Sequence, residues 1–390
     1  EDTAAPNMAQ ALRDALEMHP QDLLEEIHGA LPPEICEQLE VDHWKFIDQL
    51  TGPAGSLVKA VQERANDIQN LQNFQTKLDT RKKADYRQFN SANKLIQTLE
   101  KERAINFLSG HGVLPKYGFP VDSVNLNILY QDTKLAGSID LSRDLKIAIS
   151  EFAPPAAVVA NGKVWTSYAI NTVPNQSWPT YVYYVCPECK RIFPPAQGMV
   201  SVTFNVDEAE ARCCPSCGVG MKARKFIIPQ FGFSTKIDDS PKSVGDSRPK
   251  TYYATQTQFW GLEGRTERQL TEARERNVLL AGKQVELVYS PGGQLFVLNQ
   301  GSKNRGFYTC PDCGYTVDPQ TTPKRIHRTK FNRPCDTQLE HVSLGHRFST
   351  DILKIVLPSH FIQKEEYQGK DQAASVLYAI LEGASSSLDI

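Results

Sequence analysis

The chain is 390 residues long, with 40% apolar and 23% charged residues and a formal net charge of −2. That length exceeds one ordinary core and points to two or three globular domains, while the near-neutral charge excludes binding of nucleic acid through a global positive field. No run of about eighteen apolar residues occurs, which argues against a membrane-spanning helix, and Glu1-Asp2-Thr3-Ala4 lacks the basic and apolar regions of a signal peptide.

Residues 1–110 are expected as a helical region. Leu12, Leu16, Leu23, Leu24 and Ile27 recur at helical spacing, and Pro20, Pro32 and Pro33 cut the stretch into short pieces. Residues 55–108 contain no proline and are rich in good helix formers, so one long helix or an antiparallel helical hairpin is expected there. Residues 95–108 read as a single amphipathic helix, stopped by Gly110 and Gly112.

From Val113 the pattern changes to alternating apolar runs. Residues 111–262 are expected as a β-rich domain, with strand-like runs at Val124–Tyr130, Ala157–Ala160, Val164–Ile170, Tyr181–Val185, Val200–Phe204 and Lys225–Ile228. Residues 263–390 are expected as a third part. It opens on a charged helical insert over 264–282, with four Arg and three Glu, and continues with a hairpin whose turn is Pro291-Gly292-Gly293. It closes on an apolar segment, Thr350–Leu357, and a helix over Ala373–Leu381. The fold class expected from this order is α+β, a helical region followed by β-rich, zinc-ribbon-like modules.

Seven of the nine cysteines sit in tight groups. Cys-x-x-Cys pairs in a large chain without a leader read as metal sites in a reducing compartment, here the cytoplasm, rather than as disulfides. The first site is Cys186 and Cys189 with Cys214 and Cys217; Cys213 is a spare neighbour or an alternative to Cys214, and Gly218 favours the Cys214 register. Each such turn aims two thiolates at one point, and two turns complete a tetrahedral Zn²⁺ shell. The second site has Cys310 and Cys313 as a clear knuckle and needs Cys335 plus one more ligand. His327 is preferred, because it shares a polar loop with Cys335; His341 and His346 are the alternatives. Cys36 reads as a buried thiol. Two closed four-ligand shells leave no open position for water activation, so the zinc is expected to be structural and to contribute roughly 10 kcal/mol per site to folding.

No Gly-x-x-x-x-Gly-Lys-Ser/Thr loop, Gly-x-Gly-x-x-Gly, His-Glu-x-x-His or Gly-x-Ser-x-Gly occurs, so no common catalytic motif is present. Local charge is more informative. Between Lys303 and Arg333 seven basic residues face two acids, with Phe307, Tyr308, Tyr315 and Phe331 interleaved. Basic side chains beside aromatics suit phosphate contact and base stacking, and Lys324, Arg325, Arg328, Lys330 and Arg333 are the candidate DNA-contacting residues. A smaller basic patch is Lys222-Ala223-Arg224-Lys225.

Several blocks resemble the C-terminal cysteine-cluster region of large bacterial superfamily 2 DNA helicases. They are Gly112–Pro120, Leu141–Pro154, Phe226–Phe233, Leu344–Leu353 (the most specific) and Ser375–Ala384. The resemblance covers residues 100–390, and similar regions occur in mitomycin-repair helicases and in the DISARM and Druantia antiphage systems. It implies that ATP-hydrolysing motor domains precede this region and that the chain, which does not begin with Met, is a fragment. It further implies DNA and other subunits of a defence or repair complex as partners, and no membrane. A zinc-stabilised module that docks a partner subunit is the alternative reading.

Overall fold

A computed structural model describes residues 7–31, 33–111, 113–114, 123–130, 139–173, 178–194, 212–215, 217–245, 257–262, 274–280, 283–319, 326–356, 375, 377–383 and 385–386. The chain divides into two compact units, Glu1–Trp260 with Leu295–Ser349, and Gly261–Gln294 with Thr350–Ile390. The architecture is the α+β one expected, helices first and strands after.

The first unit opens on short helices α1 (Met8–Glu17), α2 (Gln21–Ala30), α3 (Pro33–Gln38) and α4 (Phe46–Thr51). Leu16, Trp44 and Ile47 form their small core. The proline-free stretch is an antiparallel hairpin of α5 (Ser56–Thr76) and α6 (Lys83–Glu100), closed by Leu71 against Ala92, Leu95 and Ile96. The single helix expected over 95–108 is instead two: α6 ends at Glu100, Arg103 is extended (φ −66°, ψ 141°), and α7 (Ala104–Gly110) starts anew. The break redirects the chain so that Phe107, fully buried, covers Leu57 and Ala60 at the start of α5, with the Arg64 guanidinium 4.4 Å above its ring. Tertiary packing overrides a continuous amphipathic period here.

The remaining elements are β1 (Ser123–Asn127), β2 (Ser142–Asp144), α8 (Leu145–Glu151), β3 (Ala157–Ala160), β4 (Lys163–Ile170), β5 (Thr180–Val185), β6 (Ile192–Phe193), β7 (Lys222–Ile227), β8 (Phe233–Thr235), β9 (Lys242–Ser243), β10 (Gln258–Leu262), β11 (Arg274–Leu280), β12 (Lys283–Asn299), β13 (Phe307–Thr309), β14 (Thr316–Val317), β15 (His327–Arg328), β16 (Pro334–Cys335) and β17 (Glu340–Val356). One sheet of the first unit has the order β2-β1-β8-β4-β3, with β9 also on β4. A second joins β6, β5, β7 and β17; β7 and β17 run parallel, with Ser343 opposite Phe226, and β13 lies antiparallel to the start of β17. Asp144 caps α8 by accepting from the Lys146 amide at 2.8 Å, the usual side-chain answer to a free helix N-terminus. Ala148, Ile149 and Phe152 of that region then pack with Leu126, Phe233, Val342 and Leu344 in the main core. The helical hairpin reaches this framework through Leu71, Ala92 and Ile96 against Val173 and Phe231.

Within the second unit β11 pairs antiparallel with β12, from Arg274 opposite Tyr289 to Leu280 opposite Lys283. This corrects two expectations. Residues 274–280 are strand rather than helix, and Pro291-Gly292-Gly293 lies inside β12 instead of forming a turn. The β11–β12 register ends with Leu280 opposite Lys283, and cross-strand pairing has overridden the helix propensity of Arg and Glu; the rest of the expected helix, 264–273 and 281–282, lies outside the described residues. Residues 377–383 are helical, with Leu377, Tyr378 and Leu381 exposed. The expected strand Val200–Phe204 lies outside the described residues. No helix among the described residues is long and apolar enough to cross a membrane.

Candidate metal centres

The first centre grows from two neighbouring strands. β5 delivers Cys186, the Cys186 amide donates to the Arg191 carbonyl at 3.0 Å, and Lys190 takes a left-handed φ of 61° to close the turn before β6 pairs back on β5. The other half is built the same way. Cys213 bridges Gly220, the Cys214 amide donates to the Val219 carbonyl at 2.8 Å, and Gly218 (φ 73°) donates to the Cys214 carbonyl at 2.8 Å before β7 begins. Because Val185 lies opposite Lys222, the two turns sit side by side.

Cys186 Sγ lies 3.3 Å from Cys217 Sγ, and Cys189 Sγ 3.6 Å from Cys214 Sγ. The four sulfurs all lie within 4.8 Å of one another. Four thiolates at about 2.3 Å from a central Zn²⁺ would be about 3.8 Å apart, so the group fits one tetrahedral ion after a small expansion. Cys186 and Cys214 are buried, whereas Cys189 and Cys217 are exposed. Cys213 is also exposed and stands outside the group.

The second centre uses one knuckle and one two-stranded hairpin. The Cys310 amide donates to the Tyr315 carbonyl at 2.8 Å, and the Cys313 amide points at Cys310 Sγ at 3.4 Å. The hairpin pairs His327 directly opposite Cys335, turning at Thr329–Arg333 with Asn332 at φ 63°. Cys310 Sγ is 3.9 Å from Cys335 Sγ, and Cys313 Sγ is 3.2 Å from His327 Nε2. These four donors form the second group within 4.8 Å. The crowding leaves its electrostatic mark: the Cys313 thiol, donating to Cys310, lowers the Cys310 thiol to about 5, and Cys313 itself is pushed up.

His341 and His346 stand elsewhere. The first is exposed with Nε2 against the Arg305 carbonyl oxygen; the second is buried and stacked on Phe348 at 5.3 Å. His327 is held by its ring, stacked on Tyr315 at 4.9 Å and 14°, while its buried Nδ1 has no hydrogen-bond partner among the described residues. Cys36 is buried in α3.

The second centre is also fastened to the sheet. Ile170 donates to the Gly314 carbonyl at 2.9 Å, and Tyr315 bridges Ala169. Gly314 has φ 74°, and a Cβ there would stand 1.8 Å from the Ile170 carbonyl oxygen, so only glycine permits the contact. Tyr168 Oη donates to the Arg328 carbonyl at 2.7 Å, and burial pushes the Tyr168 phenol up.

The basic hairpin presents its charges unequally. Arg328 is exposed, its Nη1 donating to the Asn332 carbonyl at 2.9 Å. Lys330 is 8% exposed, donates to Asn171 Oδ1 at 2.7 Å, and is lowered to about 8 by burial. Arg333 pairs with Asp85 of α6. Lys324 and Arg325 lie outside the described residues. Sequence reasoning missed Tyr168, Asn171, Tyr315 and Asp85 as supports of this centre, since none carries a local motif.

No family model matches the chain, and no solved structure does. The chain is 22% identical over 284 residues to Druantia protein DruE of Escherichia coli (strain UMEA 4076-1), a match covering 65% of this chain and 14% of that protein. The chain therefore spans a small fraction of the length of the relative it matches.

Proposed function

We propose that the chain is the zinc-binding, DNA-engaging C-terminal region of an ATP-dependent superfamily 2 DNA helicase or translocase of a cytoplasmic antiphage defence system. The observation that carries this reading is the pair of four-donor groups, Cys₄ and Cys₃His, in a chain similar to DruE. Soft thiolate donors in a tetrahedral set select zinc over hard cations. A shell filled by four protein ligands has no position left for a water or substrate, so its part is scaffolding. Phosphate contact falls on Lys324, Arg325 and Arg328, while Lys330 and Arg333 anchor the hairpin that carries Arg328.

Elemental analysis should find two zinc ions per chain. In fluorescence anisotropy, joint reversal of Lys324, Arg325 and Arg328 to Glu should weaken DNA binding by more than about tenfold and reduce the salt slope by about 2 to 3. Unchanged affinity would remove the DNA reading. The burial of Lys330 and the pairing of Arg333 with Asp85, which take two basic side chains away from phosphate contact, favour, as a second reading, a module that docks a partner subunit; its binding would change little between low and high salt.

A further inference from the structure

We propose that the first cysteine group is an oxidation site for peroxide-class oxidants, at which disulfides form between its two knuckles and release the metal, while the second group resists. The inference rests on the metal-binding reading of that first group. Three observations carry it. Cys189 and Cys217 are exposed, one in each knuckle, so an oxidant reaches a ligand sulfur without any opening of the fold. Each has a sulfur of the opposite knuckle already in contact, Cys217 with Cys186 at 3.3 Å and Cys189 with Cys214 at 3.6 Å. At the second group Cys310, His327 and Cys335 are buried, and the single partly exposed sulfur, Cys313, faces a histidine nitrogen.

The chemistry balances with hydrogen peroxide as the named oxidant. The Cys217 thiolate attacks one peroxide oxygen; an S–O bond forms, the O–O bond breaks, and the departing hydroxide takes a proton to become water. The Cys186 thiolate then attacks the sulfur of that sulfenic acid, an S–S bond forms, and a second hydroxide leaves and is protonated. Two sulfurs lose one electron each and one peroxide gains two. Cys189 and Cys214 repeat the sequence with a second peroxide. Each disulfide removes two ligands from the shell, so the metal is released, and a thiol reductant reverses the step. Exposure of the sulfur separates the two groups: Cys189 and Cys217 are open to an oxidant, whereas Cys310 and Cys335 are buried.

The test uses the full chain, prepared under reduction and assayed for zinc before treatment. Hydrogen peroxide is added in the presence of a colorimetric zinc chelator, and samples are alkylated and peptide-mapped. Two bound zinc ions are expected, with the first released about tenfold faster than the second or more. Disulfides Cys186–Cys217 and Cys189–Cys214 should appear in step with that release, and dithiothreitol with added zinc should restore the ion. Cys213→Ser should release zinc at the same rate. A chain prepared without zinc defeats the metal reading itself. Two zinc ions released at equal rates, earlier oxidation of Cys310 or Cys335, irreversible acids at Cys189 and Cys217 without disulfide, or slowed release in Cys213→Ser would each overturn the inference while leaving the metal reading intact.

Discussion

At the first centre two of four sulfurs face solvent and Gly218 turns in open space, with nothing within 4 Å of where its Cβ would be. At the second, Cys310, His327 and Cys335 are 0%, 5% and 9% exposed, and Gly314 presses on the backbone of β4. Both centres are four-donor groups of similar span, so donor geometry does not separate them. Their coupling to the rest of the molecule does. The first hangs from the ends of β5 and β7, whereas the second is joined to β4 by the Ile170–Gly314 hydrogen bond, to Tyr168 through the tilted Tyr168–Tyr315 contact and the Tyr315–His327 stack, and, through Arg333, to the helical hairpin. Ligand sets of equal size and similar span can thus be coupled unequally to a fold.

Metal removal should show this most strongly. Under a zinc chelator the first centre should empty early with a small loss of cooperative structure, and emptying the second should cost on the order of 10 kcal/mol and unfold the unit, as followed by circular dichroism and released zinc. Simultaneous loss from both would break the comparison. Single ligand changes come next: Cys310→Ser should destabilise by about 5 kcal/mol in urea denaturation, and Cys189→Ser by about 2 or less. Gly314→Ala should cost about 3 kcal/mol or more, because the left-handed backbone and a backbone collision add, while Gly218→Ala bears only the left-handed penalty of about 1 kcal/mol. Thermal melts of the two variants measure that difference directly. The smallest effect belongs to the ion pair at the helical hairpin. Arg333 is over a third exposed, so Arg333→Ala should cost about 1 kcal/mol, and a double-mutant cycle with Asp85→Ala isolates the coupling.

What the sequence made legible follows from how local each signal is. Cys186, Cys189, Cys310 and Cys313 announce themselves because a Cys-x-x-Cys turn is complete within four residues. His327 is preferred from the loop it shares with Cys335, and the structure pairs the two across β15 and β16. The break at Arg103 is invisible because the apolar period continues through it; only the burial of Phe107 against α5 explains it. Pro291-Gly292-Gly293 carries turn chemistry and still sits in a strand, since β12 runs unbroken from Lys283 to Asn299 and pairs with β11 over its first half. The inward turn of Lys330 is equally silent in sequence, because its acceptor Asn171 lies 159 residues away. The α+β order survives these misreadings because it rests on long composition shifts rather than on single turns.

The contact between Gly314 and Ile170 bears on how this region can be handled as a piece. A peptide spanning the second knuckle and its hairpin would keep all four donors but leave behind the end of β4, at Ala169 and Ile170, that receives it. Such a graft would bind metal and present raw apolar surface, and a truncation that keeps β4 without the knuckle would expose the matching scar.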